Sequence, residues 1–122
     1  MKKCLNDYIQ EVANFAEVRG WKNEDPNELL TSTVIELGEL AEHYQWQKEF
    51  KKKYTEREKK EIGYEFVDVF FYLFRIIGHT GIDMDKIFDE KYKKLEKKFY
   101  IGANSRKQHE IYRKSGKNKL YD

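Results

Sequence analysis

The stretch Val34-Ile35-Glu36-Leu37-Gly38-Glu39-Leu40-Ala41-Glu42 sets two acids three residues apart inside a run of apolar side chains. A second run, Tyr64-Glu65-Phe66-Val67-Asp68-Val69-Phe70-Phe71-Tyr72, repeats the arrangement with Glu65 and Asp68. Residues three or four apart share one face of an α-helix, so each pair points to one side. The surrounding apolar residues recur with the same period. In the first segment they are Leu29, Leu30, Thr33, Val34, Leu37, Leu40, Ala41 and Tyr44; in the second, Ile62, Phe66, Val69, Phe70, Leu73, Ile76 and Ile77. Both segments read as helices that carry acids beside their buried stripes.

The flanking residues give these helices their ends. Asp25-Pro26 predicts an N-cap followed by proline at the first helical position, and the helix is expected to run to about Lys48. Thr55-Glu56-Arg57-Glu58 is a capping box, opening a helix to about Ile77. Upstream, Leu5, Tyr8, Ile9, Val12, Phe15 and Ala16 form one apolar face from about Lys3 to Val18, ended by Gly20. Downstream, Gly78-His79-Thr80-Gly81 breaks the pattern. Asp83 or Asp85 then caps a fourth helix through Met84, Ile87, Phe88, Tyr92, Leu95 and Phe99. No segment alternates as a strand would. The expectation is an all-α, antiparallel four-helix bundle over residues 1–102, followed by a basic tail over residues 103–122. Phe70 to Phe74 makes the third helix apolar on several sides, which predicts completion by oligomerisation, as a homodimer or homotetramer.

Composition excludes several functions. The chain has 122 residues, enough for one domain. Its net charge of +2 makes no general case for nucleic-acid binding. Cys4 is the only cysteine, so neither an internal disulfide nor a cysteine zinc site can form. No apolar run is long enough to span a bilayer, and Met-Lys-Lys-Cys-Leu-Asn-Asp lacks the apolar region of a signal peptide. A soluble, cytoplasmic protein is expected.

The acids carry the chemistry. A carboxylate beside a helical core is costly unless its charge is compensated. Four of them from two helices raise one another's pKa and oppose folding. A divalent cation removes that cost, and an all-oxygen set favours Mg²⁺ or Mn²⁺ over zinc. Mg²⁺ held this way keeps positions for water and substrate phosphates, so Glu36, Glu39, Glu65 and Asp68 predict a platform for phosphate chemistry. Gly38, which costs about 1 kcal/mol in a helix interior, predicts a close approach by a neighbour. Glu42 extends the acid face as an auxiliary group. His43 and His79 read as capping or surface residues. Tyr72, four residues beyond Asp68, presents its hydroxyl on the acid face for a phosphate or sugar.

Three other readings make distinct predictions. A di-iron bundle needs Glu-x-x-His on two helices, and no glutamate here has histidine three residues later. A non-enzymatic helical interaction module predicts no metal-dependent stabilisation. Binding of nucleic acid by the tail predicts steep salt dependence that survives removal of the acids.

The motif Glu36-x-x-Glu39 followed by Glu65-x-x-Asp68, with Glu-Leu-Gly-Glu-Leu-Ala-Glu and Val-Asp-Val-Phe-Phe-Tyr-Leu around it, resembles the MazG-type superfamily of all-α nucleoside triphosphate pyrophosphohydrolases. The resemblance covers roughly Phe15 to Phe99. It implies Mg²⁺-dependent cleavage of a (d)NTP between the α and β phosphates, with all four acids as metal ligands and Glu39 or Glu36 activating the water. Arg19-Gly20-Trp21, Asp25-Pro26 and Tyr44-Gln45-Trp46 are similar to the dCTP pyrophosphatase branch. That similarity implies a base pocket walled by Trp21 and Trp46, and the superfamily resemblance implies a phosphate contact from Lys91. Leu95 and Lys98 depart from the asparagine and arginine of many relatives.

Overall fold

The computed structural model describes residues 2–102 together with Lys107, Glu110 and Lys114. It contains α1 (Leu5–Glu17), α2 (Pro26–Glu42), α3 (Glu56–Gly78) and α4 (Met84–Lys98), with no strand among the described residues. The all-α expectation therefore holds. The expected basic tail lies outside the described residues apart from those three. Among the described residues, no helix is long and apolar enough to cross a membrane.

The chain divides into two compact units, Met1–Ile82 and Asp83–Asp122. In the first, α1 and α2 each pack on α3. Ile9 and Ala16 of α1, Leu29, Thr33 and Leu40 of α2, and Val69 of α3 are its buried residues. Thr33, the only polar one among the described residues, donates its hydroxyl to the Leu29 carbonyl at 2.9 Å, so its burial leaves no hydroxyl donor unpaired. Gly78 lies where α3 meets α1: a Cβ there would come within 3.4 Å of that of Ala13, an ordinary packing contact. Gly38 has no such role: a Cβ there meets nothing within 4 Å. The expected close approach at Gly38 is thus absent within one chain.

Local chemistry sets the helix ends. Asp25 caps α2 by accepting from the Asn27 amide at 2.8 Å, with Pro26 at the first position. Thr55 accepts from the Glu58 amide, and Glu58 accepts in return from the Thr55 amide, both at 3.1 Å. Lys51 donates to the same carboxylate at 2.6 Å and, with the Thr55 amide, holds the Glu58 carboxyl down to about 2. Removal of this cap by Thr55→Ala should cost about 1 kcal/mol, read as a lower urea midpoint with an unchanged slope.

The end of α2 differs from expectation. The helix stops at Glu42 instead of Lys48 because its ladder tightens: His43 and Tyr44 donate to carbonyls three residues back, and the Gln47 side chain takes the His43 carbonyl at 2.9 Å. The Gln47 amide also donates three residues back, to Tyr44, so the chain continues in tight turns and not as α-helix.

The second unit contains α4. Asp83 is the cap of α4 and accepts from the Lys86 amide at 3.1 Å. Lys97 and Lys98 lie in the last turn, where cations suit the helix dipole.

Candidate active site

Glu36, half-buried, lies on the side of α2 that carries buried Leu29, Thr33 and Leu40, with Glu39 exposed beside it; on α3, against which α2 packs, Glu65 is half-buried and Asp68 exposed. Glu36 senses the other three acids. Burial pushes the Glu36 carboxyl up, and the charge of Glu39, a hydrogen bond with Glu39, and the charges of Asp68 and Glu65 push the same way. One acid of the cluster thus favours its proton when no cation is present. Glu36 Oε2 is buried without a hydrogen-bond partner. Glu65 Oε2, also buried, faces His43 Nε2 at 2.6 Å. Among the described residues, no three His, Cys, Asp or Glu side chains stand together as a finished metal cage. The donor set nonetheless fits a hard cation. It is all oxygen, drawn from two packed helices, and includes a buried carboxylate oxygen that lacks a donor.

The aromatic candidates separate. Gly20, at φ 78°, ends α1 in a Schellman turn in which Gly20 donates to the Glu17 carbonyl and Trp21 to that of Ala16. The turn folds Trp21 back so that its ring meets Phe15 edge-on at 6.0 Å. On α3, the Arg75 guanidinium lies 5.0 Å from the Trp21 ring and 5.4 Å from the Tyr72 ring. Trp21 and Tyr72 therefore converge on Arg75. Trp46, on the turn that replaces the expected end of α2, is 87% exposed. Lys91 lies on α4 in the second unit. Glu42 is exposed at the last position of α2.

Residues not anticipated from the sequence complete this region. Glu24 pairs through Oε2 with Arg75, and its Oε1 lies 3.1 Å from His79 Nε2. Both side chains of the ion pair are buried, Glu24 at 7% and Arg75 at 13% exposure. A cavity of about 200 Å³ opens beside them, walled also by Trp21, Ala16 and Gly78. His43 and His79 do occupy the C-caps of α2 and α3, as expected, but each also meets a carboxylate. The capping signal is local and readable; the partners lie on other elements and carry no local signal.

The Glu24 pair makes stability depend on pH. Burial raises the Glu24 carboxyl, but hydrogen bonds from Arg75 and His79 outweigh it and leave the pKa below its ordinary value of 4.5. A depressed acid stabilises the fold above its unfolded pKa, and that contribution is lost as pH falls through the folded value. Between about pH 6 and pH 3, the parent should lose more stability in urea melts than Glu24→Gln does.

A family profile described as dUTPase matches residues 1–121. The dCTP pyrophosphatase 1 of Homo sapiens is 32% identical over 84 residues, covering 66% of this chain and 49% of that protein. The Bos taurus protein of the same name is 31% identical over 84 residues, covering 66% and 50%, and that of Rattus norvegicus 30% over 86 residues, covering 67% and 51%. The chain spans about half the length of the curated relatives it matches. No solved structure matches it. With two acid pairs on two packed helices and the profile covering nearly every residue, the chain belongs to the dUTPase family, within the MazG-like all-α nucleoside triphosphate pyrophosphohydrolases.

Proposed function

We propose that this chain is a Mg²⁺-dependent pyrophosphohydrolase that converts a pyrimidine deoxynucleoside triphosphate to the monophosphate and pyrophosphate. The observation that carries the reading is the placing of the two acid pairs on packed helices, with a buried Glu36 oxygen that lacks a donor and a Glu36 carboxyl pushed up by burial and by the charges of the other three. Family membership supports the reaction class. The relatives' name, dCTP pyrophosphatase 1, supports a dCTP-like substrate.

In this reading the four acids hold the cation. Mg²⁺, or Mn²⁺ in its place, supplies positive charge that binds phosphate oxygens and acidifies water. Glu39, the exposed acid of α2, accepts the proton of the attacking water. The bond between the α and β phosphates breaks, and pyrophosphate leaves. His43 fixes the Glu65 carboxylate through its 2.6 Å contact, the kind of outer contact that orients a ligand. Tyr72 and Trp21, which meet at Arg75, serve the sugar and base.

A second copy of the chain covers the apolar side of α2 and α3. Leu30, Val34 and Leu37 form one exposed strip and Phe66, Phe70 and Leu73 another, Val34 being 60% exposed. Leu37 and Phe66 line the same groove, so the strips adjoin. Exposed apolar surface on this scale marks an interface. In this reading the chain works in the cytoplasm as a homodimer or homotetramer.

The test is a panel of NTPs and dNTPs with Mg²⁺, reading monophosphate and pyrophosphate. Expected is metal-dependent pyrophosphate release that is fastest with dCTP or a related pyrimidine deoxynucleotide. Release of orthophosphate, or no turnover by any nucleotide, would reject the proposal in favour of an interaction module.

A further inference from the structure

Resting on the reading above, we propose that Glu24 and Arg75 form an ionic clasp that pins the α1–α2 connection to α3 and presents Trp21 as a preset wall of the nucleobase site. Arg75 is then a positioning residue for base recognition. Neither residue belongs to the acid motif.

The geometry of α3 places this clasp. Asp68, Tyr72 and Arg75 fall on one helix face, because steps of four and three residues return to the same side. Arg75 stands about 10 Å beyond Asp68 along the axis, at 1.5 Å per residue. A nucleotide with its phosphates at Asp68 and its sugar at Tyr72 therefore carries its base to the level of Arg75.

What stands at that level is not loose surface. The Arg75 guanidinium lies against Trp21 at 5.0 Å, Phe71 at 5.4 Å and Tyr72 at 5.4 Å. Glu24 reaches it across 51 residues of sequence and is itself steadied by His79. The clasp takes two buried charges out of water, and such a pair is a weak source of net stability against an apolar alternative. Arg75 Nε is buried without a partner, a further cost. A costly buried pair placed against one tryptophan, beside a cavity of about 200 Å³, fits a device for holding that ring. A planar cation against one indole face fixes the ring and leaves its remaining surface for a base. Trp21 remains 42% exposed, so surface for stacking is present.

The experiment compares the parent with Arg75→Gln and Arg75→Lys. Gln removes the charge; Lys keeps a charge opposite Glu24 but not the planar face. Three quantities are read: KM and kcat for dCTP, binding of inorganic tripolyphosphate with Mg²⁺, and time-resolved fluorescence anisotropy of Trp21 in a Trp46→Phe background without nucleotide. Expected in both variants is a KM raised about tenfold with kcat and tripolyphosphate binding changed by less than about twofold, a split that assigns the loss to ground-state contacts with the nucleoside. Anisotropy of Trp21 should decay faster in both. Equal losses for dCTP and tripolyphosphate, or unchanged Trp21 anisotropy, would overturn the clasp. Should Arg75→Gln not fold, Arg75→Lys decides alone, since it leaves no unpaired charge on Glu24. A parent that hydrolysed no nucleotide would defeat the functional reading, and the anisotropy comparison would still decide the clasp.

Discussion

Asp68→Asn is expected to lower pyrophosphate release by about a thousandfold or more while making the metal-free protein more stable. The two effects share one cause. Asp68 is among the charges that push the Glu36 carboxyl up, and like charges gathered on adjoining helices oppose folding. Replacing one by an isosteric amide removes that repulsion and one oxygen anion from the cation's ligand set together. The gain should be about 1 kcal/mol, or several degrees in melting temperature for a domain of this size. Saturating Mg²⁺ reverses the order: a ligand at about a hundred times its Kd adds roughly 2.7 kcal/mol to the parent, and the variant gains much less. Thermal melts with and without Mg²⁺, followed by circular dichroism, read both arms. If the variant melts lower than the parent without metal, Asp68 is a structural residue and the acids do not crowd. Glu39→Gln should lose activity to a similar degree, with helical content unchanged.

Features written in short-range chemistry are legible in the sequence alone. Asp25-Pro26, the Thr55–Glu58 box and Asp83 each satisfy backbone donors within three residues, so their sequence identifies the helix starts. The acid pairs are equally legible, because helical spacing alone puts each on one face. The end of α2 is not. It rests on a switch to bonds three residues back at His43, Tyr44 and Gln47, which the residue spacing does not signal. Contacts between elements are invisible for a different reason. Arg75 sits in an apolar run and Glu24 in a polar loop, and nothing local tells that they meet across 51 residues. Trp21 and Trp46 read alike as candidate base walls, yet a left-handed Gly20 turns the first inward while the tightened turn after α2 leaves the second 87% exposed.

Leu30→Lys should convert the protein to monomers and remove most of its activity. In an isolated chain this change ought to be almost silent. Leu30 is 54% exposed, and a lysine there keeps its ammonium in water, where surface substitutions usually stay within about 0.5 kcal/mol. In an oligomer the same lysine enters an apolar contact, and a buried cation without a partner is heavily penalised. The single chain already points to such a contact. No large side chain in the described residues is buried beyond 98%, while Leu30, Val34, Leu37, Phe66 and Phe70 all stand open to solvent. A face of this kind can be covered by a standard interface of about 1,600 Å², enough to contribute stability that a thin helical layer lacks. Light scattering of the parent and of Leu30→Lys reads the assembly directly, and pyrophosphate release at matched chain concentration reads its consequence. A parent that is monomeric and active, or a variant that keeps both mass and turnover, would show that one copy suffices. Loss of mass with loss of turnover would show that the site needs its neighbour.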